Sequence, residues 1–388
     1  MLPRLCSVTM RCENKIYQKW HSLRKSIRMY KTIPEFNRQF MISVSLGLII
    51  GSFITYMLII LNNSHRRITA GPSIDPGSHG NDEEFHRIED HTVAKKLYEK
   101  VRVLCWVMTQ PKYHEKRAKH VKATWGKRCN ELLFMSSVED SSLPSIALHG
   151  VKEDQEYLWG KTKEAFRYVY KHYLDKADWF LKADDDTYVI VENLRYMLMP
   201  YNSSDPIYFG CRFKPYVNQG YMSGGAGYVL SREAVKRFVE ISLRNATGCR
   251  IHENYGPEDL EIGRCLESAQ VKAGDSRDSL GRNRFLPLFP QRHLIPGEMW
   301  EETPWYWIYM YYKGEEGMWC CSDNAVSFHY IDPNEMYELE YLIYHLRPYG
   351  ISFNMVMPPE LLDKEIDQTS RSDKLTVDEN SRLMIYDI

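Results

Sequence analysis

The sequence lacks three features, and each absence excludes a class of protein. Its 50 basic and 51 acidic side chains leave a formal net charge of −1, so the chain as a whole carries no nucleic-acid signature. It contains no internal repeat, which excludes a repeat architecture. Gly224, Gly225 and Gly227 do not form a dinucleotide-binding fingerprint, because no Gly-x-Gly-x-x-Gly spacing opens a helix there. We expect these glycines to mark a bend where the backbone approaches a ligand closely.

One segment, residues 41–61, lacks charge altogether. At about 1.5 Å per residue it is long enough to cross about 30 Å of hydrocarbon. Before this segment, basic side chains far outnumber the acidic Glu13 and Glu35. The basic residues are Arg4, Arg11, Lys15, Lys19, Arg24, Lys25, Arg28, Lys31 and Arg38. This asymmetry predicts a membrane anchor of type II topology, with the basic side in the cytosol. A cleaved signal peptide is the alternative, but the basic region is too long and no Ala-x-Ala-like site precedes Asn62.

Most of the cysteines lie beyond the predicted anchor, where an oxidising lumen favours disulfides. They are Cys105, Cys129, Cys211, Cys249, Cys265, Cys320 and Cys321. An odd number leaves at least one unpaired or bonded to another chain. Zinc bound by Cys320 and Cys321 with His329 is the alternative, but adjacent cysteines lack the usual ligand spacing. The sequons at Asn202 and Asn245 fit a lumenal compartment.

The chain divides into five predicted segments. They are a basic cytoplasmic tail (residues 1–40), the anchor (41–61), an extended stem (62–95), a lumenal catalytic head (96–350) and a polar tail (351–388). Strand-like and helix-like patterns alternate in the head, which predicts an α/β sheet with a parallel portion. Predicted strands cover residues 101–108, 132–138, 179–182, 207–213 and a run around His329. Predicted helices cover 114–125, 156–174, 191–199 and the segments after Ser231 and Pro257. We expect irregular loops at 281–312.

Three consecutive carboxylates, Asp184, Asp185 and Asp186, follow the predicted strand at residues 179–182. Ionised carboxylates repel one another, and a divalent cation relieves that repulsion. Asp184 and Asp186 would share one face of an extended segment, and hard oxygen ligands suit Mg²⁺ or Mn²⁺. A solvated acidic turn is the alternative. An EF-hand loop does not fit, because Tyr188 and Arg195 would occupy its fifth and twelfth positions.

Three further groups are candidates for chemistry. Glu258 and Asp259 begin a predicted helix, where one carboxylate could take a proton from an acceptor hydroxyl, or both could simply complement the helix dipole. His329 lies in an apolar run and is either a core histidine or an additional metal ligand. Trp305, Tyr306 and Trp307 form either a wall for stacking a sugar or part of the core.

Several motifs, in order, resemble the core 1 β-1,3-galactosyltransferases of the β-1,3-glycosyltransferase family, which also contains the Fringe proteins. They are Thr124-Trp125-Gly126, the segment Leu181-Lys-Ala-Asp-Asp-Asp-Thr-Tyr188, Gly220-Tyr-Met-Ser-Gly-Gly-Ala-Gly-Tyr228, Glu258-Asp259-Leu260, Ala273-Gly-Asp-Ser-Arg-Asp278, Cys320-Cys-Ser-Asp-Asn-Ala-Val-Ser-Phe-His-Tyr330, Met336-Tyr-Glu-Leu-Glu-Tyr341 and His345-Leu-Arg-Pro-Tyr349. The resemblance covers roughly residues 101–350. A joint match of this kind is far more specific than any single motif.

The resemblance implies a GT-A fold, which is a Rossmann-like mixed α/β sheet, in a Golgi type II membrane enzyme. It implies UDP-galactose as donor, Mn²⁺ as cofactor, and GalNAc α-linked to Ser or Thr of a glycoprotein as acceptor. Galactose would be transferred with inversion to the 3-hydroxyl, giving the core 1 disaccharide. The family also suggests a homodimer and a dedicated folding chaperone as partners.

The resemblance also assigns roles to residues of this chain. Asp184, Asp186 and His329 correspond to the metal site, and Asp259 corresponds to the catalytic base. Donor-binding segments contain Thr109, Arg117, Lys182 and Asp185. The acceptor side contains Trp305, Tyr306, Trp307, Gly225 and Glu258. Two alternatives remain: a Fringe-like transfer of GlcNAc to O-fucose, and a non-catalytic lumenal chaperone or glycoprotein-binding module, against which the intact Asp-x-Asp argues.

Overall fold

The computed structural model describes residues 35–65, 72, 76, 89–245, 247–299, 303–348 and 358–361. The chain forms two compact units, Met1–Ile68 and Thr69–Ile388. In the first unit, helix α1 spans Glu35–His65. Its portion Gln39–Met57 has a mean hydropathy of 1.9 and is long and apolar enough to cross a membrane. The basic tail before residue 35, residues 66–88 of the predicted stem apart from 72 and 76, and most of the predicted tail 351–388 lie outside the described residues. The described ends of the stem 62–95 are not wholly extended, because residues 62–65 belong to α1 and another helix begins at Thr92.

The second unit contains the predicted α/β head. Its helices are α2 (Thr92–Lys100), α3 (Lys119–Ala123), α4 (Leu158–Tyr173), α5 (Val191–Leu198), α6 (Arg232–Glu240), α7 (Glu258–Ser268), α8 (Pro290–Leu294), α9 (Trp305–Tyr309) and α10 (Pro333–Tyr344). Its strands are β1 (Val103–Met108), β2 (Glu131–Ser136), β3 (Ser145–Ala147), β4 (Trp179–Asp184), β5 (Tyr188–Val189), β6 (Ile207–Gly210), β7 (Arg212–Phe213), β8 (Tyr221–Met222), β9 (Tyr228–Ser231), β10 (Lys272–Ala273), β11 (Phe285–Leu286) and β12 (Ser327–Phe328).

The main sheet has seven strands in the order β10-β6-β9-β4-β1-β2-β3. Strands β3, β2, β1 and β4 run parallel, whereas β9 is antiparallel to both of its neighbours. The predicted mixed α/β sheet is therefore confirmed. Its parallel part ends at Met108 and Asp184, which are paired in register, so side chains just beyond these residues meet at one edge of the sheet.

A second, three-stranded sheet determines where the later part of the chain lies. In it, β12 pairs parallel with β11 and antiparallel with β5, with Phe328 opposite Tyr188. Strand β5 comes directly after the Asp triplet, and β12 comes directly before His329. Because these two short strands pair, residues far apart in sequence are held side by side.

The core lies on both faces of the main sheet. Alternate residues of β1 are fully buried on opposite faces, with Val103, Cys105 and Val107 in one apolar cluster and Leu104 and Trp106 in the other. This burial on both sides is typical of a central parallel strand. The ring of Trp106 packs edge-on against Phe166 of α4, with ring centroids 5.1 Å apart.

Three predicted elements differ from the structure. The predicted helix at residues 114–125 is only partly α-helical, since a π-helical turn at His114–Ala118 precedes α3 and a 3-10 turn at Trp125–Arg128 follows it. The predicted strand at residues 207–213 is divided into β6 and β7, because the chain leaves the main sheet at Cys211 and β7 pairs with β8 instead. The segment at 281–312 is not wholly irregular, since it contains β11, α8 and α9. Strand pairing decides the division at Cys211, since β6 pairs with β9 and β10 whereas β7 pairs with the nearby β8, and local periodicity does not reveal these partners. The predicted helix after Ser231 is confirmed as α6, and Ser231 is its N-cap, because its side chain accepts a hydrogen bond from the backbone N–H of Ala234.

Three disulfides join the predicted lumenal cysteines: Cys105–Cys129, Cys249–Cys265 and Cys320–Cys321. Cys211 is buried and free. The expectation of pairing with at least one cysteine left over is thus confirmed. The zinc alternative for Cys320 and Cys321 is wrong, because the two sulfur atoms are bonded to each other.

Helix α10 contacts the rest of the head through hydrogen bonds and ion pairs of Glu340, which is only 7% exposed. Its carboxylate accepts from both terminal nitrogens of Arg128 at 2.8 and 2.9 Å and from the hydroxyl of Tyr188 at 2.9 Å. Lys127 also lies 2.8 Å from it. These contacts join the helix that follows His329 to the strand that follows the Asp triplet.

We expect Glu340→Gln to destabilise the folded protein by about 1–3 kcal/mol, because Arg128 would lose its charged partner. Burial opposes ionisation, but Arg128 and Lys127 hold the pKa of Glu340 below its ordinary value. A group whose pKa is lowered by folding contributes its stability above the unfolded pKa. The difference in free energy of unfolding between the wild type and Glu340→Gln should therefore shrink as the pH falls through the acid range. Urea unfolding at several pH values measures this effect. Glu338→Gln, on the exposed side of the same helix, is the control, and equal stability of the two variants would contradict the prediction.

Candidate active site

The Asp triplet turns away from the end of β4 towards the second sheet. The backbone N–H of Asp184 donates to the Thr187 hydroxyl at 3.2 Å, and the same hydroxyl donates to the Gly225 carbonyl at 2.8 Å. The carbonyl of Asp186 accepts from the backbone N–H of Ile331 at 2.9 Å. The turn is therefore bonded to two separate segments that carry candidate site residues.

Asp184, Asp186 and His329 converge at this turn. One ligand atom from each lies within 4.8 Å of the others. Nε2 of His329 is 3.3 Å from Asp186 and 4.0 Å from Asp184. Burial opposes a charged imidazole, but Asp186 and Asp184 raise the pKa of His329. Two carboxylates and an imidazole in this arrangement fit a divalent cation.

Asp185 points into a different group of side chains and is 5% exposed. It accepts from the Thr109 hydroxyl at 2.7 Å and from Arg117 at 3.1 Å. The same Arg117 nitrogen also donates to Asp186 at 3.1 Å. Burial and the neighbouring Asp186 raise the pKa of Asp185 to about 7. The structure thus brings together three residues that the resemblance placed in donor-binding segments.

Beside this group lies an ion pair between a buried lysine and a partly exposed glutamate, which the sequence analysis missed. Lys161 is 1% exposed; its Nζ donates to the carbonyl of Thr109 and lies 2.5 Å from a carboxylate oxygen of Glu153. The signal was available, because Lys161 occupies the inner face of α4 together with Ala165 four residues later. A lysine at a core position of an amphipathic helix indicates a buried partner.

Lys182 is the other buried cation of the site and is 2% exposed. Its Nζ lies 2.6 Å from a carboxylate oxygen of Asp184, donates to the Gly224 carbonyl at 3.1 Å, and is 3.8 Å from Glu258. Burial opposes its charge, but Asp184 and Glu258 raise the pKa of Lys182. One ammonium group therefore links the Asp triplet to the start of α7.

Glu258 lies inside this network at 7% exposure. Its Oε1 accepts from the hydroxyls of Tyr228 at 2.5 Å and Thr162 at 3.0 Å, and its Oε2 faces Lys182. Burial raises the pKa of Glu258, while Lys182 opposes the increase. The resemblance placed Glu258 on the acceptor side, whereas its contacts in the structure are with buried side chains of the head.

Asp259, one residue later, reaches an open cavity of about 330 Å³. The other lining residues are mostly aromatic: Phe213, Tyr216, Tyr221, Pro257, Leu260, Trp305 and Tyr309. The carboxylate accepts from the backbone N–H groups of Gly224 at 3.2 Å and Leu260 at 2.8 Å. Burial raises the pKa of Asp259, and these two hydrogen bonds oppose the increase.

The three predicted acceptor-side aromatics have different surroundings in the structure. Trp305 lines the cavity. Tyr306 is 1% exposed in the core, with its ring edge-on to Trp307 at a centroid distance of 5.0 Å. In α9, consecutive residues point in different directions, so a run of three aromatics cannot share one face. Tyr309, four residues after Trp305, also lines the cavity, as this helical spacing predicts.

The glycine turn joins these parts. Gly224 donates to Asp259 and accepts from Lys182, and Gly225 lies against His329. A Cβ atom at Gly225 would lie 2.1 Å from the imidazole Cε1. The expected bend with a close backbone approach is present, and its neighbour is the candidate metal ligand.

We expect Glu258→Gln to lower the stability of the folded protein, because the Lys182 ammonium loses one of its two carboxylate neighbours. The hydrogen bonds from Tyr228 and Thr162 still find an acceptor in the amide oxygen. Its thermal midpoint should fall by several degrees, corresponding to about 1–3 kcal/mol. Glu267→Gln on the same helix, which keeps an oxygen to accept from the backbone N–H of Gln219, is the comparison. A Glu258→Gln protein as stable as the wild type would show that the contact with Lys182 contributes little.

Sequence comparisons identify relatives of the chain. Residues 98–277 match the Fringe family, described as Fringe-like. Glycoprotein-N-acetylgalactosamine 3-beta-galactosyltransferase 1 of Xenopus laevis is 52% identical over 274 residues, which are 71% of this chain and 75% of that protein. Human beta-1,3-glucosyltransferase is 30% identical over 182 residues, 46% of this chain and 35% of that protein.

Among solved structures, the catalytic domain of Drosophila beta-1,4-galactosyltransferase 7 in complex with xylobiose is 14% identical, with a TM-score of 0.28 over 45% of this chain and 63% of that one. This similarity is too low to support an argument. The sequence relatives confirm the predicted class of enzyme, a glycosyltransferase. Because the Xenopus relative is 52% identical and 75% of its length is matched, the chain belongs to the core 1 β-1,3-galactosyltransferase family.

Proposed function

We propose that the protein transfers galactose from UDP-galactose to the 3-hydroxyl of GalNAc α-linked to Ser or Thr of a glycoprotein. The observation that carries this proposal is the position of Asp259. It lines an aromatic cavity and is joined through Gly224 to Lys182 and the Asp triplet. A carboxylate between a sugar-sized cavity and a candidate cation site is suited to act as general base at an acceptor hydroxyl. The name of the Xenopus relative supports the choice of donor sugar and acceptor.

The donor side of the proposal uses the residues around the Asp triplet. Asp184, Asp186 and His329 would hold Mn²⁺, because an imidazole beside carboxylates favours a first-row transition ion over Ca²⁺ or Mg²⁺. When bound, this ion supplies charge neutralisation for the diphosphate of the donor and so stabilises UDP as leaving group. Arg117 offers a guanidinium beside Asp185 and Asp186, and Thr109 and Lys182 complete the donor-binding set. We infer a GT-A arrangement for the head on this basis.

The acceptor side uses the cavity. Its aromatic rings offer stacking surfaces for the apolar face of a sugar, and about 330 Å³ falls in the range of small-ligand sites. Asp259 takes the proton of the acceptor 3-hydroxyl as that oxygen bonds to the anomeric carbon of galactose. The bond from the same carbon to the UDP oxygen breaks, and its electron pair leaves with UDP. One displacement of this kind inverts the configuration from α to β.

The proposed membrane topology rests on the sequence pattern, whereas the proposed compartment and partners rest on the family resemblance. Helix α1 contains a segment suited to cross a membrane, and the basic residues before it favour type II topology. We infer a Golgi enzyme with its head in the lumen, and a homodimer that folds with the help of a dedicated chaperone.

The test is release of UDP by the purified full-length protein with Mn²⁺, UDP-galactose and a GalNAcα-Ser/Thr peptide. We expect Asp259→Asn to lower kcat about 10²–10⁴-fold while Mn²⁺-dependent binding of UDP is retained. Asp186→Asn should lose both the transfer activity and the Mn²⁺-dependent binding of UDP. Asp175→Asn, an exposed aspartate, is the matched control.

Three outcomes would contradict the proposal. Transfer from UDP-GlcNAc to O-fucose in place of the expected reaction would indicate a Fringe-like enzyme. Binding of the glycopeptide with no UDP release from any common UDP-sugar would indicate a binding module or chaperone. Full activity of Asp259→Asn would remove the assigned base.

The rate should also depend on pH through Asp259. Because burial raises the pKa of Asp259 and the base must be ionised, kcat/KM should fall on the acid side at a higher pH than an ordinary aspartate would give. UDP binding measured over the same pH range separates this effect from protonation of the donor side. An acid limb shared entirely by UDP binding would assign the loss to the donor side instead.

A further inference from the structure

We propose that Tyr330 is a positioning residue whose ring holds the imidazole of His329 in the orientation that the cation site requires. This inference rests on the proposed function, because it concerns the same cation site. It adds a residue that the sequence resemblance did not assign any role.

The imidazole of His329 lies in a narrow slot. On one side is the backbone of Gly225, where even a methyl group would lie 2.1 Å from Cε1. The ring of Tyr330 is stacked on the imidazole, with its centroid 3.8 Å away and an interplanar angle of 29°. Because the backbone of Gly225 leaves no space on its own face of the imidazole, the Tyr330 ring must cover the opposite face. With a backbone on one face and a ring on the other, the imidazole has little freedom to tilt.

A hydrogen bond at its edge also orients the imidazole of His329. Nδ1 of His329 lies 3.3 Å from the carbonyl of Pro287. Because a carbonyl only accepts, Nδ1 carries the proton, and the lone pair of the neutral imidazole is on Nε2. Nε2 is the atom that faces Asp186 at 3.3 Å. The slot and this carbonyl together direct the lone pair at the position where a cation would bind.

The backbone of Tyr330 supports the same interpretation. Its φ of +60° is in the left-handed region, which costs a residue with a Cβ free energy that glycine avoids. The side chain is 53% exposed, so burial of apolar surface explains little of why this conformation is kept. The next residue, Ile331, donates to the carbonyl of Asp186 at 2.9 Å. The unusual backbone therefore places the ring on His329 while the following residue holds the Asp turn.

The experiment uses three substitutions in the full-length protein and measures Mn²⁺ binding directly by electron paramagnetic resonance, without donor or acceptor. Tyr330→Phe keeps the ring and should bind Mn²⁺ within about twofold of the wild type. Tyr330→Ala and Tyr330→Gly both remove the ring and should bind about 10–100-fold more weakly. Tyr330→Gly also relieves the left-handed backbone, so it should be at least as stable as Tyr330→Ala and yet share its metal defect.

Tyr341→Ala is the matched control. Tyr341 is also 53% exposed and its ring is stacked with a histidine, His345, at a centroid distance of 6.5 Å, but it lies on α10. It should lose no affinity for Mn²⁺. In the transfer reaction, the loss of activity in Tyr330→Ala should largely disappear at saturating Mn²⁺. This is expected when the substitution weakens Mn²⁺ binding and leaves the base Asp259 intact.

Mn²⁺ affinity unchanged in Tyr330→Ala and Tyr330→Gly would overturn the inference, as would a defect in Tyr330→Phe equal to theirs. Failure of the proposed function is seen separately. If the wild type binds Mn²⁺ and the variants differ as expected, but no galactose is transferred, the inference stands and the proposed reaction does not. A wild-type protein that binds no Mn²⁺ would overturn the cation site and the inference together.

Discussion

Five carboxylates, Asp184, Asp185, Asp186, Glu258 and Asp259, meet in one partly buried region, and the rest of the site depends on how their charges are compensated. Lys182 lies between Asp184 and Glu258, and Arg117 bridges Asp185 and Asp186. Grouped and buried carboxylates are unfavourable unless cations or hydrogen-bond donors are supplied. Lys182 and Arg117 compensate part of this charge through one oxygen of Asp184 and one of Asp186, and the other oxygen of each of these carboxylates faces His329. The arrangement thus prepares a place for a further cation.

Two sheets with different tasks build this region. The main sheet brings Thr109 and the Asp triplet to one edge, because β1 and β4 are parallel and in register. The small sheet brings His329 to the same edge, because β12 pairs with β5. Glu340 then fastens the helix after His329 to Tyr188 and Arg128. The cation site therefore joins the segment after β4 to the segment after β12. Its geometry depends on the short paired strands and the ion pairs that hold these two segments together.

The sequence predicted much of this correctly, for reasons that are local. Alternating strand and helix patterns gave the α/β head, Ser231 gave a helix start, and the Asp triplet after an apolar strand gave a cation site to look for. What failed was decided by strand pairing and by side-chain contacts formed in the folded protein. The strand expected at 207–213 divides because β7 finds a partner in β8. Glu258 and Asp259 are adjacent, yet one is enclosed by Tyr228, Thr162 and Lys182 while the other reaches the cavity.

By itself, the sequence determined the family, the class of enzyme and the chemical type of the candidate ligands, because these follow from residue types in a fixed order. Only the tertiary structure decided which of those residues meet. Asp186 and His329 are separated by most of the head and come together through strand pairing and the Gly224–Gly225 turn. Tyr330 is placed beside the site with His329, and Lys161 reaches the Thr109 carbonyl from α4, which packs on β1. Contacts between residues distant in sequence depend on how sheets pair and pack, and no local pattern of residues encodes that pairing.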